Sequence, residues 1–201
     1  MIVDVAGSPQ IICVSGANGV TGHDPESGKQ LWGSGQMLMR TVASPVYGEG
    51  VVIAVCGSGG SGKQLVAVEP PKNGDSNTAK IRYERKKELP YVPTPIAYKG
   101  HLFLWSDSGV VSCLDMGTGD VVWMKRVGGK FTGSPVCVDG KLYCIDESGD
   151  VVCIAASAEY EMLGRSSLGE YSHSTPAVAG GKMLLRTEKQ LFCINASSAK
   201  K

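Results

Sequence analysis

The sequence predicts an all-β protein, a β-propeller built from four-stranded antiparallel blades. Three observations predict this fold: a Ser/Thr-Pro pattern followed by Gly and an apolar run, a column of small residues in each repeat, and two copies of D-x-x-[ST]-G-x-x-x-W. The three patterns recur in one register, and a repeat of about 40–45 residues is the size of a propeller blade.

The Ser/Thr-Pro pattern marks the start of a repeat. It occurs four times, and its prolines are separated by 50, 40 and 41 residues. The segments are "SPVYGEGVVIAV" from Ser44, "TPIAYKGHLFLW" from Thr94, "SPVCVDGKLYCI" from Ser134 and "TPAVAGGKMLLR" from Thr175. Proline at the first position of a strand removes no ladder donor, and the Gly favours a tight hairpin turn. We therefore expect two strands joined by a turn in each segment.

A column of small residues marks the third strand of each repeat. Cys113, Cys153 and Cys193 are spaced forty residues apart in "GVVSCLD", "GDVVCIA" and "KQLFCIN", and Ala67 and Gly22 stand at the same place in the two earlier repeats. The apolar runs around this column are continuous rather than alternating. Continuous runs are typical of strands that are buried on both faces, as in blades stacked around an axis.

The third pattern predicts a turn and a fourth strand. "DPESGKQLW" runs from Asp24 to Trp32, and "DMGTGDVVW" runs from Asp115 to Trp123. Gly28 and Gly119 hold the glycine position of these turns, where a positive φ is easily adopted. Each complete repeat is therefore expected to hold four short strands.

Counting these patterns predicts four nearly complete blades and a three-stranded partial one in a single domain. The expected bounds are 1–40, 41–90, 91–130, 131–171 and 172–195, and the tail 196–201 is expected to be disordered or frayed. The first repeat has no Ser/Thr-Pro pair before its first strand, and the last has no fourth strand. Three arrangements stay open: the C-terminal part of a larger propeller, an unusual closure with five blades, and pairing with a second copy.

Composition and charge limit the classes of partner that the sequence favours. Lys plus Arg is 20 and Asp plus Glu is 19, a net charge of +1, so no electrostatic argument favours nucleic acid or an anionic membrane. We interpret the basic run Lys80–Lys87 as a solvated outer strand. No apolar run reaches the ~18–20 residues of a membrane-spanning helix, and the first residues do not resemble a secretory signal. The seven cysteines contain no C-x-x-C pair and are expected to be buried, structural thiols.

One glycine-rich stretch resembles a phosphate-binding loop. Gly57, Gly62 and Lys63 match G-x-x-x-x-G-K, but Gln64 stands where Ser or Thr should follow the lysine. The next residues are predicted to form a strand, whereas a phosphate loop needs a helix in a parallel βαβ unit. We therefore predict a long hairpin turn at 57–63 and no nucleotide site.

The D-x-x-[ST]-G-x-x-x-W element resembles the repeat of the pyrroloquinoline-quinone (PQQ) propeller superfamily, A-x-D-x-x-T-G-x-x-x-W. Gly22 and Cys113 replace its alanine. The resemblance implies that Trp32 and Trp123 pack against the neighbouring blade. Tyr83 and Leu163 are expected at the tryptophan position of two weaker repeats.

The superfamily has two functional classes. In the quinoprotein dehydrogenases, eight blades surround PQQ and a calcium ion. The other class lacks a cofactor and binds proteins; it includes the lipoprotein of the outer-membrane β-barrel assembly machinery. No vicinal Cys-Cys and no set of calcium ligands can be matched here. We therefore expect a non-catalytic interaction or scaffold module without a cofactor. The alternative is a fragment of a PQQ- and calcium-dependent dehydrogenase, and sugar binding in the channel also stays open.

The loops before each Ser/Thr-Pro pair are the expected binding surface, because loops on a rigid scaffold carry most binding residues. The resemblance implies a protein partner and a periplasmic or cell-envelope location in a bacterium. Self-association or completion by an N-terminal half would supply the missing strands. The alternative is that these side chains pack over the channel mouth and bind nothing. The candidate residues are Arg40, Tyr91, Lys130, Phe131, Tyr171 and His173.

The remaining histidines are not expected to act in catalysis. His23 replaces Leu114 of the matching strand, and His101 begins an apolar strand. Both are interpreted as packing or turn residues. His173 precedes Thr175-Pro176 and is the histidine to test first for a ligand.

Overall fold

The computed structural model describes residues 1–57, 62–72 and 76–195. These residues form 19 strands in five antiparallel sheets, four with four strands and the last with three. The described part of the chain contains no helix able to span a membrane. We call the sheets blades 1 to 5 in chain order, and the all-β propeller prediction is confirmed.

Each blade is a meander in which consecutive strands pair. Blade 1 comprises β1 (Ile2–Val5), β2 (Ser8–Ser15), β3 (Gly19–His23) and β4 (Gln30–Gly33). Blade 2 comprises β5 (Val46–Gly48), β6 (Val51–Cys56), β7 (Gln64–Glu69) and β8 (Lys80–Arg85). Blade 3 comprises β9 (Ile96–Tyr98), β10 (His101–Trp105), β11 (Val110–Asp115) and β12 (Val121–Arg126). Blade 4 comprises β13 (Val136–Val138), β14 (Lys141–Ile145), β15 (Asp150–Ala155) and β16 (Met162–Ser167), and blade 5 comprises β17 (Ala177–Ala179), β18 (Lys182–Arg186) and β19 (Leu191–Asn195).

The turn between the first and second strand of each blade has a fixed chemistry. Its two central residues both have positive φ, for example 48° and 72° at Glu49 and Gly50, and 49° and 70° at Asp139 and Gly140. Two consecutive positive φ values define the type I′ turn, whose twist suits a two-residue hairpin. The Gly therefore recurs because the backbone of this turn needs a positive φ at that position.

The recurrent Ser/Thr joins one blade to the next. The backbone N–H of Ser44 donates to the hydroxyl of Thr94 at 3.1 Å, that of Thr94 to Ser134 at 3.0 Å, and that of Ser134 to Thr175 at 2.9 Å. Each hydroxyl thus accepts a hydrogen bond from the same position of the preceding blade. This explains why a hydroxyl residue recurs before the proline.

The hydrophobic core lies between blades. Four clusters of buried side chains join blades 1 and 2, 2 and 3, 3 and 4, and 4 and 5. Between blades 3 and 4, for example, Phe103 and Trp123 pack with Leu142 and Ile154. No cluster of the described residues joins blade 5 to blade 1, so their packing does not support closure as a five-blade ring.

Aromatic residues of the fourth strands lie at these seams. Trp32 pairs with Gly22, Tyr83 with Ala67 and Trp123 with Cys113, so all three face the small-residue column. The Tyr83 hydroxyl donates to the Met116 carbonyl of blade 3 at 2.9 Å. Nε1 of Trp32 instead donates to Oε1 of Gln10 within its own blade, at 2.7 Å.

The expected position of Leu163 is wrong by one residue. Gly164, not Leu163, pairs with Cys153, because the connection from β15 to β16 is one residue longer than the connection from β11 to β12. The bulge beside this pair in β16 is also present in β4, β8 and β12. Blade 4 therefore has no aromatic side chain at the position that holds Trp123 in blade 3.

The cysteines depart partly from the expectation of buried thiols. All seven are free. Cys56, Cys113 and Cys144 are buried, Cys137 and Cys153 are half-buried, and Cys13 and Cys193 are exposed. The two exposed thiols belong to blades 1 and 5, which each pack on one neighbour in the described ranges. The expected frayed tail 196–201 lies outside the described residues.

Candidate functional site: the loop face

The loops that enter each blade meet the turns between the second and third strands at one end of the molecule. The Arg40 carbonyl accepts a hydrogen bond from Gly57 N at 2.9 Å, Lys130 O accepts one from Glu147 N at 2.8 Å, and Tyr171 O accepts one from Glu188 N at 2.9 Å. We call this end the loop face. It comprises the candidate residues Arg40, Tyr91, Lys130, Tyr171 and His173 and the acidic turn residues Asp107, Glu147 and Glu188.

Asp107 organises the centre of the loop face. Its Oδ2 accepts hydrogen bonds from Tyr91 N at 2.7 Å and from Lys63 Nζ at 3.0 Å, and its Oδ1 accepts one from Val92 N at 3.1 Å. Its backbone carbonyl accepts the N–H of Phe131 at 2.9 Å. The carboxylate of Asp107 therefore holds the loop that enters blade 3 and the lysine of the long hairpin, and its backbone carbonyl holds the loop that enters blade 4.

The contact with Asp107 also gives Lys63 a structural role. Besides Asp107, Nζ of Lys63 donates to the Leu89 carbonyl at 2.9 Å. Gln64 begins β7 rather than a helix. These contacts account for the lysine of the phosphate-loop-like stretch without a phosphate. Residues 58–61 of the predicted hairpin turn lie outside the described part of the chain.

Acidic residues recur at the same turn position in three blades. Asp107, Glu147 and Glu188 each follow the second strand of their blade by two residues. The sequence shows them as "DSG", "ESG" and "EKQ", but these segments were interpreted only as turns. Their hydrogen bonds to the loops that enter blades 3, 4 and 5 make them functional candidates that the sequence analysis missed.

Tyr171 and His173 form a second centre on the loop face. Their rings meet edge to face with centroids 4.7 Å apart, and Nδ1 of His173 lies 2.5 Å from Oγ1 of Thr132. The Tyr171 hydroxyl donates to Oε2 of Glu147 at 3.5 Å. Partial loss of solvent, with the nearby charges of Glu147 and Glu188, raises the pKa of the Tyr171 phenol. Tyr171 is thus a neutral hydrogen-bond donor at physiological pH.

Two shallow hollows separate the candidate residues into pairs. Arg40 and Tyr91 line one hollow of about 530 Å³, together with Met39. Tyr171 and His173 line another of about 370 Å³. Lys130 is exposed between them, on the loop that bonds to the turn of Glu147.

Phe131 is a correction to the predicted surface. Its side chain is fully buried, and its ring packs against the edge of Trp105 with centroids 5.3 Å apart. It belongs to the cluster between blades 3 and 4. Phe131 therefore supports the loop face from below and presents no surface to a partner.

The D-x-x-[ST]-G residues close tight turns on the outer side of the blades. Oδ1 of Asp24 accepts the backbone N–H of Ser27 at 2.7 Å, and Oδ1 of Asp115 accepts that of Thr118 at 2.8 Å. Hydrogen bonds from Ser27 and Thr118 lower the pKa of these two carboxyl groups below the usual range. Gly28 and Gly119 have φ values of 70° and 79°. These residues serve the turns and lie away from the loop face.

Metal-binding groups do not converge in the described ranges. No three His, Cys, Asp or Glu side chains there lie close enough together to hold a metal ion. His23 contacts Thr21 at 2.9 Å, and His101 contacts the Lys99 carbonyl at 3.1 Å.

Comparison with solved structures places this fold beside known propellers. BamB from Moraxella catarrhalis is 19% identical, with a TM-score of 0.71 over 96% of this chain and 57% of that one. The computationally designed Ika8 protein is 9% identical, with a TM-score of 0.67 over 91% of this chain and 53% of its own. The designed Ika4 protein is 10% identical, with a TM-score of 0.64 over 84% of this chain and 98% of its own. At these identities the likeness shows the fold alone, and the chain spans 57% of the BamB chain that it matches.

Comparison at the level of sequence gives the family. No curated protein matches the chain. A family model matches residues 85–200, more than half of the chain, and its description is outer membrane protein assembly factor BamB. The chain therefore belongs to the PQQ-repeat propeller family that this model describes.

Proposed function

We propose that this propeller is a non-catalytic module that binds other proteins through its loop face. The observation that carries the proposal is a set of exposed aromatic and charged side chains on backbone that hydrogen bonds hold in place. Tyr171 is 47% exposed, and Asp107 fixes the loop of Tyr91 through two hydrogen bonds, from Tyr91 N and Val92 N. Aromatic and Arg side chains on rigid supports are the usual anchors of protein interfaces.

The charges of the loop face define the kind of partner. Arg40 and Lys130 alternate around it with Asp107, Glu147 and Glu188. A mixed pattern selects a partner surface of complementary charges and disfavours a uniformly charged polymer such as nucleic acid. The family description names an outer membrane protein assembly factor, which supports a protein partner in the bacterial cell envelope and a periplasmic location.

Site-specific photocrosslinking tests this function. A benzophenone amino acid is placed at Tyr171 or Tyr91, with Lys125 on the outer strand β12 as the matched control position. We expect both loop-face positions to crosslink the same envelope protein. With that protein purified, Arg40→Glu and Tyr171→Ala should weaken binding about tenfold each, while Val122→Ala should leave it unchanged. Crosslinks that form equally from Lys125 contradict the proposal.

The dehydrogenase alternative has a separate test. PQQ and calcium are added to the purified chain, and the absorbance spectrum and dye-linked alcohol oxidation are recorded. We expect neither a spectral change nor turnover, because the described residues offer no matching ligand set. Turnover that depends on both additions would establish the alternative.

Completion of the propeller is part of the proposal. Blades 1 and 5 each pack on one neighbour in the described residues, which supports self-association or an additional N-terminal half. Sedimentation equilibrium of the chain separates the two, since self-association doubles the mass and completion by an N-terminal half leaves a monomer that binds the separate half.

A further inference from the structure

The hollow that Arg40 and Tyr91 line has two walls, and each wall belongs to a different loop. The loop that enters blade 2 supplies Leu38, Met39 and Arg40, and the loop that enters blade 3 supplies Tyr91. Between these loops in sequence lies the hairpin of β6 and β7, whose glycine-rich turn resembles a phosphate-binding loop. We call four described residues at the base of this hairpin the hairpin stem: Gly57, Gly62, Lys63 and Gln64.

One half of the hairpin stem holds the Tyr91 wall. Nζ of Lys63 donates to the Leu89 carbonyl at 2.9 Å and to Oδ2 of Asp107 at 3.0 Å. The same oxygen of Asp107 accepts the backbone N–H of Tyr91 at 2.7 Å. The Lys63 and Asp107 side chains are 27% and 28% exposed, so salt screens their ion pair less than it screens a fully exposed pair. A Cβ atom at Gly57 would lie 3.3 Å from Cδ2 of Tyr91, so glycine lets the ring rest against the hairpin.

The other half of the hairpin stem holds the Met39 wall. Oε1 of Gln64 accepts the backbone N–H of Leu38 at 3.1 Å, and Nε2 of Gln64 donates to Oε1 of Glu84 on β8 at 3.1 Å. Gln64 is buried, so both ends of its amide are fixed inside the blade. A Cβ atom at Gly62 would lie 3.2 Å from Cγ of Met39. Gly62 therefore lets this wall approach, and Gln64 fixes its backbone.

We propose that the hairpin stem is the positioning element of this hollow, and that Lys63 and Gln64 fix its two walls at the spacing at which Arg40 and Tyr91 bind one partner protein. This inference deepens the loop-face function proposed above and rests on it. Neither Lys63 nor Gln64 lines the hollow, so both act through the loops that they hold. Walls that are ordered before binding reduce the conformational entropy that the complex loses. The phosphate-loop-like pattern thereby serves protein binding rather than nucleotide binding.

Hydrogen exchange tests the positioning without a partner. Gln64→Met keeps the length of the side chain but removes both hydrogen-bonding groups. The Leu38 amide should then exchange about tenfold faster, while exchange of the Tyr91 amide should not change. Lys63→Met should give the opposite pattern. Unchanged exchange in both variants, or faster exchange of both amides in each variant, would overturn the proposal.

Affinity measurements test whether this order matters for binding. The probe is the purified envelope protein that crosslinks from Tyr91, and its affinity for the chain is measured by isothermal titration calorimetry. Lys63→Met should weaken binding about tenfold, and Lys63→Arg should recover most of the affinity, because a guanidinium can still donate to Asp107. Lys80→Met is the matched control, since the Lys80 side chain is 78% exposed, and it should leave the affinity unchanged. Unchanged affinity of Lys63→Met contradicts the proposal.

A double-mutant cycle distinguishes positioning from a general loss of stability. If Lys63 acts through the Tyr91 wall, Lys63→Met should weaken binding less than about twofold in a chain that already carries Tyr91→Ala, because the effects of coupled residues do not add. A variant that only destabilises the fold would weaken binding by the same factor in both backgrounds. Equal factors would therefore overturn the positioning role of Lys63.

The positioning role and the loop-face function fail separately. If neither Tyr91 nor Tyr171 is a position that crosslinks an envelope protein, the loop-face function is overturned, whatever hydrogen exchange shows. If both positions crosslink the same protein and Lys63→Met binds it normally, the positioning role alone is overturned.

Discussion

Trp123 is hydrogen-bonded to Ser157 across the seam between blades 3 and 4: its indole N–H donates to the Ser157 carbonyl at 3.0 Å. The same indole meets the ring of Tyr160 edge to face, with centroids 5.2 Å apart. Ser157 and Tyr160 lie in the turn between β15 and β16. One side chain of blade 3 thus fixes both the distance and the orientation of blade 4.

Trp123→Ala should lower the free energy of unfolding by about 3–5 kcal/mol, because it empties a buried aromatic site. Urea unfolding followed by circular dichroism measures the change. Val122→Ala is the control, since Val122 is the neighbouring residue and is 43% exposed, and it should change stability by less than about 0.5 kcal/mol. A melting temperature of Trp123→Ala within about a degree of the unmodified value would contradict this role.

Gly119→Ala should destabilise the chain more than Gly28→Ala does. Both glycines have positive φ, so alanine costs about 1–2 kcal/mol at each. At Gly119 the added Cβ would also lie 2.5 Å from Cδ2 of Tyr83, whereas at Gly28 it would meet nothing within 4 Å. The overlap should cost about 1–3 kcal/mol more, measured by parallel urea titrations. Equal losses at the two positions would show that Tyr83 does not press on this turn.

The stability contributed by Tyr83 should disappear in alkali. Burial raises the pKa of its phenol from 10.0 to about 12, so the folded chain keeps the proton that the unfolded chain releases. The contribution is therefore complete below pH 10 and is lost as the pH rises towards 12. The difference in unfolding free energy between the unmodified chain and Tyr83→Phe should stay constant up to about pH 9.5 and then fall. A difference that is constant to pH 12 would contradict the burial of this phenol.

Truncation of Phe131 should destabilise the chain far more than truncation of its neighbour Lys130. Phe131→Ala should cost about 3–5 kcal/mol of stability, because the ring is buried against Trp105. Lys130→Ala should change stability by less than about 0.5 kcal/mol, because its side chain is exposed. Thermal unfolding of the two variants compares adjacent residues of one loop. A small loss of stability in Phe131→Ala would contradict the burial of this ring and would support the original prediction that Phe131 belongs to the binding surface.

Ser134→Ala should cost about 1 kcal/mol, because it leaves the partly buried N–H of Thr94 without its acceptor. Ser134→Thr should retain nearly all of the stability, since Thr occupies this position at Thr94 and Thr175. Hydrogen exchange of the Thr94 amide is the most direct measurement. Unchanged exchange in Ser134→Ala would show that the hydroxyl column does not link the blades.

The repeats predict the blades because their turns are local. A type I′ turn or an Asp-capped turn is specified by two to five adjacent residues, so the sequence alone locates the strands of the five sheets. The position of Gly164 depends instead on the connection from β15 to β16, which is one residue longer than the connection from β11 to β12 and leaves Leu163 at the bulge. Blade 4 lacks the D-x-x-[ST]-G pattern that fixes this length in blades 1 and 3.

The predicted binding surface is less complete for a related reason. Phe131 has the same sequence context as the other loop residues, but its ring turns inward because Trp105 provides a buried edge to pack on. The sequence predicts a turn at Asp107 but not its hydrogen bonds, because its partners Lys63 and Tyr91 come from other parts of the chain. Burial and long-range hydrogen bonds decide these assignments, and neither is encoded in a short segment.

Because every hydrophobic cluster belongs to two sheets, a blade on its own would have no interior. The smallest unit that such a chain can gain or lose in evolution is therefore one sheet together with one seam. The same arrangement orders unfolding from the ends inward. Among the residues that the structure describes, blades 1 and 5 are each held by one seam, and their amides should exchange with solvent before those of blade 3.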